Sequence, residues 1–262
     1  MIGIKNMTMV GKVSIGLLKE AVKIQDWLPG AKSMVILGDK VLEGPINSGV
    51  IRHAISEFKS VDERLSMAAR ETALELETQG FRSLPIPPYF PLEMSNATKG
   101  LVGDVSLREA AVRAGMGVLG KHGLLITPNW GPRLRLAGVV TEAPLESLSA
   151  DSLLSLDKVK SLCDGCNRCL RSCPAEAITE AGVNIGLCSK QIGEPFGLRA
   201  LIKYGSQLMQ VMRGKPEEVP AMISSEEVWN FYQNYMVGMY FSCIECMRVC
   251  PPEGEKRNSD PT

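Results

Sequence analysis

Cys163-Asp164-Gly165-Cys166-Asn167-Arg168-Cys169-Leu170-Arg171-Ser172-Cys173-Pro174 puts three cysteines into seven residues and a fourth directly before a proline. A second run, Cys243-Ile244-Glu245-Cys246-Met247-Arg248-Val249-Cys250-Pro251, ends the same way. Seven of the chain's eight cysteines lie in these runs, and the eighth, Cys188, falls between them. Such crowding lets one short loop aim three thiolates at three corners of an iron–sulfur cube, after which the proline turns the chain away. Two cubes need eight thiolates, and eight is the full count.

The first run has the spacing of bacterial ferredoxins, in which three cysteines hold one [4Fe–4S] cube and the fourth reaches the other. That family pattern of crossed ligation implies one cluster on Cys163, Cys166, Cys169 and Cys250. It implies a second on Cys173, Cys188, Cys243 and Cys246. Cys188 is the weakest member by sequence, since a lone cysteine is often a small buried apolar residue; its place follows because no other sulfur is left for the fourth corner. Disulfides would need an oxidising compartment. Zinc sites favour separated Cys-x2-Cys pairs rather than three cysteines crowded before a fourth.

A ferredoxin needs far fewer than 262 residues. The expected organisation is an α/β domain over 1–150 and a ferredoxin-like double-cluster domain with a helical insertion over 151–262. Lys plus Arg equals Asp plus Glu at 29 each, so the net charge gives no case for nucleic acid. Mean hydropathy of +0.03 describes an ordinary globular core. No run of about 18 apolar residues suggests a membrane span. The first 18 residues, broken by Gly3, Gly11 and Gly16, carry neither a twin arginine nor an apolar leader core. A cytoplasmic protein is expected.

Along the chain, the apolar run from Ser33 to Gly38 predicts a buried strand. Val61 to Thr78 has helical spacing and Gly80 supplies a C-terminal cap. Phe81 to Ile86 reads as a strand before a proline-rich loop. Ser106 to Ala114 reads as a helix stopped by Gly115, and Gly123–Thr127 and Leu134–Thr141 read as strands joined by a turn at Pro128–Pro132. Residues 142–157 form the expected linker, and 198–212 and 225–237 are helix-like. Strands alternating with helices argue for an α/β class.

The segment Ala114-Gly115-Met116-Gly117-Val118-Leu119-Gly120-Lys121-His122-Gly123, continued by Leu125-Ile126-Thr127-Pro128 and Gly131-Pro132-Arg133-Leu134, resembles the core of epoxyqueuosine reductases and reductive dehalogenases. Residues 28–35 resemble the opening strand of the former, and both groups follow this core with two ferredoxin-type clusters. The resemblance spans about residues 28–255. It implies a nitroreductase-like α/β domain carrying a base-off cobalamin, reduced through the clusters, which in turn reduces a small organic substrate. It also implies a low-potential donor of the ferredoxin or flavodoxin type. Gly115, Gly117 and Gly120 would let backbone N–H groups approach the corrinoid. Lys121 and His122 follow at its face, Lys121 in a catalytic role. An ordinary tight turn is the alternative reading of the same glycines.

The acid that epoxyqueuosine reductases carry upstream aligns at Leu101. Asp104 is the displaced candidate, and the N-cap of the next helix is its other reading. Tyr89 is the candidate for the tyrosine acid of dehalogenases; His53 reads as an ordinary residue. The sequence ends 12 residues after Cys250, which leads to the expectation that tRNA is not the substrate. Two further readings stand beside the reductase: a non-catalytic electron-transfer protein, and a reductive activator of a separate corrinoid protein.

Overall fold

The computed structural model describes residues 7–88, 103–146, 163, 165–193, 198–237 and 243–250. Tyr89 and most of the 142–157 linker lie outside the described residues. Four strands form the main sheet: β1 (Met9–Ser14), β2 (Ser33–Lys40), β3 (Ser83–Ile86) and β6 (Leu134–Thr141), in the order β1-β2-β6-β3. Between them in sequence come α1 (Ala21–Trp27), α2 (Glu43–Asn47), α3 (Ile51–Thr78) and α4 (Leu107–Arg113). A separate hairpin pairs β4 (Val118–Leu119) with β5 (Leu125–Ile126).

Helices and strands alternate as expected, but every pairing in the main sheet is antiparallel. The two strands expected to face each other across the Pro128–Pro132 turn do not pair. β5 pairs with β4, while β6 lies between β2 and β3.

The apolar run of β2 reflects burial on both faces of the sheet. Met34 and Ile36 enter one core with Leu136, Val140 and the α4 residues Ala110 and Ala111. Val35 and Leu37 enter the other with Ala137, Val139 and the α3 residues Val61, Leu65, Ala68, Ala69 and Ala73. Each of the Val, Leu, Ile and Met side chains contributes roughly 1.5–3 kcal/mol by leaving water, and each alanine methyl less. Arg135 on β6 clamps α3 to the sheet through a bidentate pair with Asp62, Nε to Oδ1 at 2.9 Å and Nη2 to Oδ2 at 2.6 Å.

Both long-range helix stops follow from glycine. Gly80 (φ +88°) and Gly115 (φ +72°) take left-handed conformations that a Cβ would disfavour. Phe81 N–H then donates to Leu76 O at 3.0 Å and Met116 N–H to Ala111 O at 2.9 Å, closing each helix end. The N-cap of α4 is Ser106, whose Oγ accepts from Glu109 N–H. This corrects the reading of Asp104 as the cap; Asp104 lies two residues earlier and is half-buried.

α3 begins at Ile51, ten residues before the expected start. Its first half holds the rest of the chain: Ala54, Ile55 and Phe58 form a core with Ile244 and Met247 of the second cysteine run. The cysteine segments are short elements: α5 (Arg168–Arg171), the β7–β8 ribbon (Ile178–Thr179, Gly182–Val183), α6 (Ile185–Gly193) and, after the insertion, α10 (Glu245–Arg248). The insertion itself holds α7 (Leu198–Gly214), α8 (Val219–Ile223) and α9 (Glu226–Val237). No helix among the described residues is long and apolar enough to cross a membrane.

Candidate functional site

Local structure fixes where each cysteine stands. Cys169 sits in α5, Cys188 in α6 and Cys246 in α10. Cys166 N–H donates to Cys163 O at 3.2 Å, curling the first run, and Ala177 N–H donates to the sulfur of Cys173 at 3.3 Å. All eight are free thiols.

Their mutual influence sorts them. Burial raises the Cys169 thiol, and the neighbours that raise it further are Cys163 and Cys166. Burial likewise raises Cys188, with Cys243 and Cys173 next. Burial raises Cys243, with Glu245 and Cys173 adding to the rise. Burial pushes Cys246 up to about 12, and Cys243, Cys188, Cys169 and Cys173 are all within electrostatic reach of it. Cys163 and Cys250 meet separately, against Val118 and Ile126 of the hairpin. Both runs thus bring sulfurs into one neighbourhood, where Cys246 of the second lies within electrostatic reach of Cys169 and Cys173 of the first. Among the described residues no three His, Cys, Asp or Glu side chains converge as around a single metal ion. Thiols so costly to ionise are poor nucleophiles, whereas cationic iron would compensate their charge. The donor set therefore fits iron–sulfur cubes.

The β4–β5 hairpin lies under one of these groups. Its turn, residues 120–124, is closed by Gly120 N–H to Leu124 O at 3.0 Å and Gly123 N–H to Gly120 O at 2.8 Å. Lys121, at the tip, donates to Asn167 Oδ1 at 3.0 Å and pairs with Glu180 Oε2 at 2.6 Å. Glu180 first, then Cys163 and Cys169, hold its ammonium more firmly protonated, against a partial desolvation. His122 folds back and is buried, its Nδ1 accepting from Leu124 N–H at 3.1 Å. Burial, helped by Arg108, pulls its pKa down to about 4, so the ring is neutral and unsuited to serve as an acid at pH 7. Arg133, also buried, reaches the other run: it donates to Cys250 O at 3.0 Å and Arg248 O at 3.3 Å.

A family model for the 4Fe-4S binding domain matches residues 157–179. Epoxyqueuosine reductase of Bacillus cereus is 27% identical over 229 residues, 86% of this chain and 49% of that protein. Tetrachloroethene reductive dehalogenase of Sulfurospirillum multivorans is 41% identical over 70 residues, 27% of this chain and 13% of that one. The chain is thus similar to reductases of two groups, over most of its length to one and over a short segment to the other. A solved catabolic reductive dehalogenase has the same fold over 95% of this chain and 38% of its own, with a TM-score of 0.51 at 15% identity. The chain spans about half the length of the Bacillus cereus relative.

In this chain the glycine-rich segment takes part in the protein's own packing. The N–H groups of Gly115 and Gly120 are taken by Val112 O and Leu124 O. A Cβ on Gly117 would overlap the backbone carbonyl of Ile126. One on Gly120 would stand 2.6 Å from Ile126 Cδ1 and 2.7 Å from His122 Cε1. The space beside these glycines is filled by β5 and His122, and Lys121 is tied to the cysteine segment. Close packing within the protein is thus one reason for glycine at positions 117 and 120. Clefts of about 480, 460 and 390 Å³ are lined by residues of α7–α9, of β1–α1 and of the Asp39–Arg64 region, away from this segment.

Arg133, Asn167 and Glu180 escaped the sequence reading. Arg133 stood in plain view inside the Gly131-Pro132-Arg133 stretch, a cation within an apolar segment. Asn167 and Glu180 carry no pattern of their own, and only the fold brings them to Lys121.

Proposed function

We propose that this chain is an iron–sulfur reductase whose two [4Fe–4S] clusters take electrons from a low-potential donor of the ferredoxin or flavodoxin type and pass them on singly. One observation supports the reading: the two cysteine runs come together on the hairpin, where Cys163 of the first and Cys250 of the second pack on Val118 and Ile126; the ferredoxin spacing then assigns Cys163, Cys166, Cys169 and Cys250 to one cluster and Cys173, Cys188, Cys243 and Cys246 to the other. Kinship with two groups of reductases supports an enzyme over a simple carrier, and the thiol-rich site suits a reducing cytoplasm. A small organic molecule is the substrate class in this reading, with Asp104 and Tyr89 as acid candidates.

Cobalamin is the acceptor that kinship suggests, and it would supply a strongly reducing cobalt centre when bound. The closed packing of 115–122 favours a second reading, a protein that delivers its electrons to a separate partner, including a corrinoid protein. Anaerobic reconstitution followed by iron analysis and electron paramagnetic resonance tests the clusters, with about eight irons per chain expected. About four irons would overturn the two-cluster proposal. Titration of that protein with cobalamin then separates the readings: uptake of the base-off form supports the reductase, and none at micromolar concentration supports the carrier.

A further inference from the structure

Two cations from the α/β part grip the two cysteine runs at one set of sulfurs. Lys121 reaches Asn167, between Cys166 and Cys169, at 3.0 Å. Arg133 reaches the main-chain carbonyls of Cys250 and Arg248 at 3.0 and 3.3 Å. Between these grips, Cys163 and Cys250 rest on Val118 and Ile126. The Lys121 side chain is only 17% exposed and Arg133 only 4%, so water screens both charges weakly.

We infer that Lys121 and Arg133 are positioning residues for the cluster of Cys163, Cys166, Cys169 and Cys250: they lock both runs onto the β4–β5 hairpin, and their charges make this cluster the accepting end of the relay. The inference rests on the two-cluster reading above. Reduction adds one negative charge to a cluster, and a fixed cation nearby favours that state. Two described cations near the other set are held differently. Arg108 lies within reach of Cys188 but sits on the exposed side of α4, its guanidinium donating to Gly123 O. Arg248 is paired with Glu245 next to Cys246. When bound, the cluster held by Cys173, Cys188, Cys243 and Cys246 would supply one electron at a time, and the oxidised cluster on the hairpin would accept it. No bond forms or breaks, and the low-potential donor then refills the first cluster.

Redox titrations of the reconstituted full chain, followed by electron paramagnetic resonance, test this. Lys121→Gln should move the reduction equilibrium of one cluster about tenfold towards the oxidised form, about 59 mV for a one-electron couple, and leave the other unmoved. Lys121→Arg should restore it. Glu180→Gln removes the neutralising partner, which is 63% exposed, and should shift the same cluster in the opposite direction. Loss of the signal in Cys250→Ser identifies that cluster. Glu180→Gln decides alone if Lys121→Gln fails to hold iron. Normal iron content with both potentials unmoved, or a shift confined to the other cluster, overturns the inference. Low iron in the wild-type chain would instead overturn the two-cluster reading beneath it.

Discussion

Gly117→Ala separates a glycine that serves a ligand from one that serves the protein. The added methyl has nowhere to go: it would overlap the carbonyl oxygen of Ile126 and stand 3.2 Å from Leu125 Cδ1. A backbone carbonyl cannot rotate aside as a side chain can, so β4 and β5 must separate. Overpacking of this kind costs about 1–3 kcal/mol. In a chain of this size that lowers the melting temperature by roughly 2–4 °C per kcal/mol. The displaced residues are Val118 and Ile126, on which Cys163 and Cys250 rest. Iron binding by this set should therefore weaken along with stability, since cluster assembly and folding are coupled. Thermal unfolding of the apo chain, with iron content and paramagnetic resonance of the reconstituted chain, reads both effects. A variant with wild-type stability and both clusters intact, altered only in cobalamin uptake, would refute this reasoning and restore the corrinoid cradle.

Cys188→Ser should spare the hairpin cluster and damage the other, giving a three-iron signal or lost iron; unchanged iron and spectrum would remove Cys188 from the ligand set. Asp62→Ala removes the carboxylate that Arg135 grips in a largely buried site, where side-chain exposures are only 11% and 17%, and should cost about 1.5–3 kcal/mol in urea denaturation. His122 is held neutral by burial with a pKa of about 4, whereas the unfolded chain takes up that proton near pH 6.5. Its contribution is therefore present above pH 6.5 and lost as pH falls towards 4, by about 3 kcal/mol in all. Relative to the parent, His122→Gln should flatten the stability profile over that window.

What the sequence revealed depended on how local the cause was. The eight cysteines announce their chemistry because ligand spacing is a property of short loops, and the stops at Gly80 and Gly115 are likewise local. β6 was legible from Leu134 to Thr141 because a continuous apolar run marks a strand buried on both faces. Its partners were not, because pairing is decided by residues distant in sequence. β1 was hidden by Lys12 and by glycines; Gly11 has its own packing reason, since a Cβ there would lie 2.7 Å from Met116 Sδ. The early start of α3 left a signal that was not taken: Ile51, Ala54, Ile55 and Phe58 follow helical spacing. The hairpin glycines illustrate the real limit. Composition reports that a backbone must approach something closely, and only the fold shows that Ile126 is what it approaches.

In the proposed crossed arrangement the α/β part takes a share in cluster assembly. Cys250 must join Cys163, Cys166 and Cys169 across the whole 198–237 insertion, and Cys243 must join Cys173 and Cys188 across the same span. Closing so long a loop costs entropy that grows slowly with its length, but the cost recurs each time the apo chain opens. Ile244 and Met247 offset it by docking on α3 beside Phe58, and Arg133 offsets it by holding Cys250 O and Arg248 O. Neither contact needs iron. The residues that hold the second run come from α3 and from Arg133, just before β6 of the main fold. The segment around Gly131-Pro132-Arg133 thereby supplies part of the surface on which the second cysteine run rests.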